Sequence, residues 1–235
     1  MLQVTSVKKD IGLFSLSVEK MQIESPGIFG LIGPNACGKS TLAKLLCGIL
    51  QPDSGKIETD FSDKEITMVT QKPYIMKDTV LNNLEYPLKI RGVKDSDTII
   101  DEYLYKTNLI NKKYQMAREL SGGEKQKLAI LRAMIFSPKL IILDESMTDL
   151  DLDSVDLFEE LILERQKQSP AVWIIISHQL AVVRRLCEFV YFMANGRLET
   201  QGQTETVFQS QNPLVKRYLK HGFLDKDIVQ TGALP

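Results

Sequence analysis

The sequence predicts an α/β protein built on a mostly parallel sheet. Short apolar runs of strand length recur along the chain (Ile28 to Ile32, Ile66 to Val69, Leu140 to Leu143, Val172 to Ile176 and Phe189 to Met193), and segments with helical spacing separate them. A strand buried on both faces reads as a continuous apolar run, and parallel neighbours need a crossover between them, usually a helix. The composition agrees with a globular chain: 235 residues, 43% hydrophobic and 25% charged. A chain of this length buries a core without disulfide or metal staples. No repeat, low-complexity stretch or Gly/Ser linker divides it, so one domain over residues 1–235 is expected.

The first run, Ile28 to Ile32, leads through a glycine-containing turn into Thr41 to Leu50, where Leu42, Leu45, Leu46 and Ile49 recur at helical spacing. The turn sequence Q-P-D-S-G closes that helix. Residues 57–70 alternate polar and apolar, which predicts half-exposed antiparallel strands. Residues 78–118 carry Asn82, Asn83, Pro87 and Gly92, then a Ser96-Asp97 start before the stripe Ile99, Ile100, Tyr103, Leu104. They predict a small helical insertion between strands, with outer limits of about 74 and 136. Leu140 to Leu143 runs into Asp144 and Glu145, and Val172 to Ile176 into Ser177 and His178. Gln203 to Leu219 reads as one or two surface helices, and the final T-G-A-L-P as frayed chain.

Charge and cysteine usage narrow the function classes. With 29 Lys+Arg against 30 Asp+Glu there is no excess of cations to neutralise phosphate backbones, so no nucleic acid partner is expected. Apolar stretches such as Ala171 to Ile176 fall far short of the roughly 20 residues of a spanning helix. The start M-L-Q-V-T-S-V-K-K-D lacks the pattern of a secretory signal. Cys37, Cys47 and Cys187 are odd in number and far apart, which suits a reducing compartment. A cytoplasmic location is the expectation.

Gly33-Pro34-Asn35-Ala36-Cys37-Gly38-Lys39-Ser40 fits G-x-x-x-x-G-K-S/T between a strand and a helix. Glycines let backbone N–H groups curl around phosphate oxygens, and the helix N-terminus adds partial positive charge. Lys39 reaches the terminal phosphates and Ser40 holds Mg²⁺, so Gly33 to Thr41 is the expected nucleotide cradle. Alone, this loop leaves kinases, GTPases and ATPases open. An acid at the C-terminal end of a buried strand sits where α/β sheets bind ligands. Asp144 is placed to coordinate Mg²⁺ through water, and Glu145 to orient or deprotonate the attacking water.

Leu120-Ser121-Gly122-Gly123-Glu124 separates the nucleotide families. Ser121 and Glu124 form a capping-box pattern, and a Gly-Gly helix start with free N–H groups is equally an anion site. Here the chain resembles the ATPase subunits of ATP-binding cassette (ABC) transporters. The resemblance rests on the phosphate loop, Gln71 after a strand, L-S-G-G-E, the acidic strand, the T-D-L-D turn at Thr148 to Asp151, and His178 after a strand. It implies a P-loop NTPase core with a mostly parallel sheet, an antiparallel β-subdomain and an inserted helical subdomain. It also implies that ATP and Mg²⁺ are the cofactors. Two copies would sandwich two ATP head to tail, with Ser121, Gly122, Gly123 and Glu124 meeting the γ-phosphate held by the other copy. Gln71 would touch Mg²⁺ or the attacking water, His178 would bond the γ-phosphate, and Asp151 would act across the dimer.

The same resemblance implies an importer subunit, peripheral on the inner face of the cell membrane, working with permease subunits and a solute-binding protein. The permease segments would enter a cleft after Gln71, near Lys72 to Met76. The run Q-K-P-Y-I-M-K-D-T-V-L-N-N-L-E-Y-P-L is similar to tungstate/molybdate-type oxyanion importers. A soluble ABC ATPase of an assembly machinery, such as iron–sulfur cluster biogenesis, is the alternative. The absence of N-K-x-D disfavours a GTPase. Four departures stand out: Glu124 where Gln is usual, Ser146-Met147 where Pro-Thr is common, Ala36 where Gly is frequent, and no aromatic at the expected adenine position near Ile11. Phe14 nearby reads as a strand core residue. Cys37 reads first as a small residue that fits the loop; its place beside a helix N-terminus also invites the hypothesis of a lowered thiol pKa, with alkylation that blocks nucleotide and ATP that protects the thiol.

Overall fold

The structure, a computed structural model, describes residues 1–93 and 96–227, with side chains to His221. Along the chain the strands are β1 (Leu2–Ile11), β2 (Phe14–Ile23), β3 (Gly27–Ile32), β4 (Ser54–Thr59), β5 (Ile66–Val69), β6 (Leu140–Asp144), β7 (Val172–Ile176), β8 (Phe189–Ala194) and β9 (Arg197–Gln203). The helices are α1 (Lys39–Leu46), α2 (Val80–Lys89), α3 (Asp97–Lys106), α4 (Gly122–Met134), α5 (Leu152–Gln168), α6 (Leu180–Leu186), α7 (Thr204–Phe208) and α8 (Pro213–Asp227). The chain divides into two compact units, Phe61–Ala171 and the remainder on either side of it.

In the unit formed by Met1–Asp60 and the chain from Val172 onward, the strands lie in the order β4, β1, β2, β9, β8, β3, β7. β1 pairs antiparallel with β2 in an unbroken hairpin from Leu2↔Ile23 to Ile11↔Phe14, except at Ser6, and antiparallel with β4 on its other side. β3 is parallel to both β7 and β8. The core is where the sequence is apolar on both faces: Leu31, Ile32, Trp173, Ile174, Ile175, Val190 and Phe192 have no more than 1% exposure. Tyr191 buries its ring beside Phe189, 5.1 Å between centroids, and its hydroxyl donates to the Gln22 carbonyl oxygen at 2.7 Å. That bond satisfies the one polar group the ring takes inside.

In the Phe61–Ala171 unit, β5 pairs parallel with β6 from Ile66↔Leu140 to Val69↔Leu143. The expectation of antiparallel strands over residues 57–70 therefore holds for β4 and fails for β5. The polar–apolar alternation of the sequence that suggested antiparallel pairing corresponds to three consecutive half-buried residues at 66–68, whereas the direction is set by the partner strand. The helical insertion lies between β5 and β6. Thr79 starts α2 by accepting the Asn82 N–H at 3.1 Å. Fully buried Asn83 then accepts from the Met76 N–H at 3.0 Å and from Arg132 Nη1 at 3.1 Å, and donates to the Thr79 carbonyl at 2.9 Å. A three-way polar anchor thus fixes α2 against α4. Lys106 joins α3 to α5 through Glu164 at 3.0 Å.

Two further differences from the sequence expectations have simple causes, and the closing segment agrees with its expectation. The hairpin β1–β2 has polar residues on one face and carries no continuous apolar run. Helix α1 ends at Leu46, so Ile49, counted in its apolar stripe, lies beyond it and is 60% exposed. The closing segment forms two helices, α7 and α8, and the expected fraying of T-G-A-L-P falls outside the described residues.

Candidate active site

The phosphate loop leaves the C-terminal end of β3. Gly33 has φ +149°, and a Cβ there would lie 2.0 Å from the Met193 carbonyl oxygen of β8, so only glycine fits. Gly38 has φ +108° and is the N-cap of α1 with no side-chain cap. Its missing Cβ would sit 2.8 Å from Phe14 Cζ. Phe14 thus packs beneath the loop, half-buried at the first residue of β2 rather than in the strand core. Ala36 takes φ +59° with its side chain exposed, so the Cβ at this position meets solvent. The loop is tied down behind by the Gly196 N–H, which donates to the Cys37 carbonyl at 3.1 Å.

These turns leave the first N–H groups of α1 without a side-chain cap, which is the donor set an anion requires. Lys39 is 5% exposed and lies back on the loop, its Nζ donating to the Gly33 carbonyl at 2.9 Å and the Pro34 carbonyl at 3.0 Å. The ammonium is thereby held inside the loop it would share with a phosphate. Pro34, Asn35 and Ser40 are exposed and Thr41 is half-buried. Leu31 pairs with Ile176 in register, so the loop after β3 and half-buried His178 after β7 extend from the same edge of one parallel pair.

Cys37 takes the role of a small residue that fits the loop, and its thiol pKa is not lowered. The thiol is 4% exposed, and burial pushes its pKa up from the ordinary value, outweighing the nearby Lys39 charge and the backbone hydrogen bonds. Desolvation of the thiolate exceeds the helix-terminus effect, so the sulfur is a packed, protonated group.

In the Phe61–Ala171 unit, Val69↔Leu143 pairing brings Gln71, exposed, and the acids after Leu143 to one edge of the β5–β6 pair. Asp144 is 5% exposed. Glu145 is half-buried at φ +52°, an uncommon conformation for a non-glycine residue that turns the chain sharply after β6. Ser121 caps α4: its Oγ accepts the Glu124 N–H at 3.3 Å and its own N–H donates to the Glu124 carboxylate at 3.0 Å. Glu124 also pairs with Lys112, a partner that no local pattern discloses. Lys112 and the capping bonds hold the Glu124 carboxyl below the usual range. Asp151, exposed, caps α5 by accepting the Ser154 N–H at 2.8 Å. A Cβ at Gly122 would meet nothing within 4 Å, and one at Gly123 only the Asp149 carbonyl oxygen at 3.8 Å. Neither glycine is demanded by this chain's own packing.

Known proteins place the chain. The family described as ABC transporter matches residues 16–148. The tungstate uptake system ATP-binding protein TupC of Peptoclostridium acidaminophilum is 36% identical over 84% of this chain and 96% of its own length. The methionine import ATP-binding protein MetN of Geobacillus kaustophilus is 32% identical over 85% of this chain, which spans 64% of that protein. A solved structure described as the ATP binding subunit of an ABC transporter superposes with a TM-score of 0.83 at 21% identity, covering 96% of this chain and 98% of that one, and shows the shared fold. The chain belongs to the ABC transporter family of ATP-binding proteins and is an ATPase that works with ATP and Mg²⁺.

Proposed function

We propose that this chain hydrolyses ATP to power uptake of a solute through separate membrane permease subunits, with an oxyanion such as tungstate as the leading candidate. The solute rests on TupC alone among the relatives above, since MetN is a methionine importer. No helix among the described residues is long and apolar enough to cross a membrane, so in this reading the path belongs to other chains and this one sits on the inner face. The two compact units are read as parts of one ATPase domain over 1–235, with the helical subdomain at about 74–136.

The observation that carries the catalytic reading is the phosphate loop: uncapped N–H donors around a lysine held within it. Gly33 to Thr41 would wrap the phosphates, with Ser40, Asp144 and Gln71 as Mg²⁺ residues, Glu145 as the base that takes the water proton, and His178 on the γ-phosphate. Empty space over Gly122 and Gly123 supports a trans role for the α4 start, because small residues that nothing inside the chain requires leave room for a group from outside. A second copy would bring its ATP there, and Asp151 would act across the same interface. A cavity of about 400 Å³ in the Phe61–Ala171 unit, lined by Pro73, Tyr74, Tyr86, Ile90 and Phe136 with Arg91 and Arg132, favours docking of a helical permease segment after Gln71.

Glu145→Gln keeps shape and removes the base, so the variant should bind ATP and dimerise with it while turnover falls about 100-fold or more. Turnover near wild type would remove Glu145 from that role. Uptake and ATPase activity with the permease in vesicles, stimulated by tungstate and not by methionine, tests the solute, with a solute-binding protein added as the expected donor. Co-purification with a soluble scaffold and no permease would favour the assembly ATPase.

A further inference from the structure

A second cavity, about 460 Å³, opens in the unit formed by Met1–Asp60 and the chain from Val172 onward. It lies between the start of the phosphate loop, the end of β8 and helix α8, and its size falls within the range of small-molecule sites. Phe192 and Tyr218 line it with rings 5.5 Å apart in a tilted pair, and Pro34 and Leu214 complete an apolar wall. Arg217 and His221, one helical turn apart on α8, supply the polar side together with exposed Asn195 after β8. No carboxylate is among the lining residues. Arg217 makes no ion pair among the described residues, whereas Arg184 of the same unit is held by Glu205 at 2.7 Å.

An open recess with apolar walls, a cation and no acid selects for a ligand of matching build. We propose that this cavity binds a soluble organic anion: an aromatic or short aliphatic body carrying a carboxylate, sulfonate or phosphate monoester that meets Arg217. The apolar body would be covered by Tyr218, Leu214 and the Pro34 ring, with Phe192 buried behind Tyr218. Pro34 connects the cavity to the phosphate loop, because its carbonyl oxygen accepts both Lys39 Nζ at 3.0 Å and the Cys37 N–H at 3.4 Å. A ligand packed on the Pro34 ring biases the carbonyl that Lys39 must release to reach a phosphate. Ligand and ATP therefore change each other's affinity by the same factor.

The test uses anilinonaphthalene sulfonate, an aromatic anion whose fluorescence rises in apolar surroundings, with the full chain. One saturable site per chain is expected. Arg217→Glu, at an exposed position, should weaken it at least about tenfold, and the uncharged phenylnaphthylamine should bind wild type at least about tenfold more weakly. Leu214→Trp, which fills the cavity, should abolish binding, with thermal melting as the control for folding. Affinity unchanged by Arg217→Glu, or equal affinity for the uncharged analogue, would overturn the site whatever Leu214→Trp does. Saturating ATP with Mg²⁺ should shift the probe's affinity at least about threefold. An intact probe site with no shift overturns the coupling, and a chain that binds the probe but no ATP overturns the nucleotide reading on which that coupling rests.

Discussion

Replacing Gly38 by alanine should destabilise the protein far more than the same change at Gly48, and the difference measures how tightly the phosphate loop is built onto the sheet. Gly38 has φ +108°, and its new Cβ would lie 2.8 Å from Phe14 Cζ, 3.2 Å from Leu16 Cδ1 and 3.4 Å from Met193 Cε. A non-glycine residue forced into that backbone region costs about 1–3 kcal/mol. Pushing the Phe14 ring aside adds about 1–3 kcal/mol of overpacking. Gly48 has φ +70° with nothing within 4 Å, so alanine there meets only backbone strain of about 1–2 kcal/mol. Urea unfolding can follow Trp173, the one tryptophan, fully buried in β7 of the same unit. The expected gap between the two variants is about 1–4 kcal/mol, a large share of a typical folding free energy of about 5–15 kcal/mol. Removing the ring by Phe14→Ala should recover about 1–3 kcal/mol in the Gly38→Ala background, seen as non-additivity in the double-mutant cycle. Equal losses at the two glycines, or strict additivity with Phe14→Ala, would refute the packing argument.

Other substitutions probe the electrostatics. Glu124→Gln retains an acceptor for the Ser121 N–H and loses the ion pair with Lys112, whose side chain is 37% exposed, so the cost at about pH 7 is on the order of 1 kcal/mol or less. Because the folded carboxyl lies below its ordinary 4.5, that contribution is present above pH 4.5 and lost as pH falls through the folded value. The difference in melting temperature between wild type and variant should therefore shrink in acid, and a constant difference would count against the ion pair. Ser121→Ala should cost about 1 kcal/mol of α4 capping, measurable by the same melts. Iodoacetamide should label Cys37 at least about tenfold faster in urea than in the folded protein, because the thiol is buried and burial raises its pKa. Rapid labelling of native Cys37 near neutral pH would contradict the burial.

Much of the site was readable because its chemistry is written in local spacing. Gly33, Gly38, Lys39 and Ser40 form one contiguous motif, Ser121 and Glu124 a capping pair three residues apart, and Asp144 and Glu145 the end of a single apolar run. The β1–β2 hairpin was not readable as a buried run, because each strand buries alternate residues such as Leu2 and Val4, or Leu16 and Val18, and leaves the others half or fully exposed. The residues that steady the site are also distant in sequence. Phe14 lies under Gly38, Gly196 holds the Cys37 carbonyl, and Lys112 reaches Glu124 across twelve residues.

The sequence alone determined that β6 and β7 are strands buried on both faces, where a phosphate loop bends, and that Ser121 caps α4, since these depend on allowed backbone angles and short-range periodicity. Tertiary structure decided the parallel direction of β5, the acidity of Cys37, and the side chain that packs against Gly38. That side chain is Phe14, which lies under Gly38, and tertiary structure also decided the burial of Lys39 against the Gly33 and Pro34 carbonyls. Those properties depend on desolvation and on which distant strand or ring arrives as a neighbour, and neither is carried by the residues on each side in the chain.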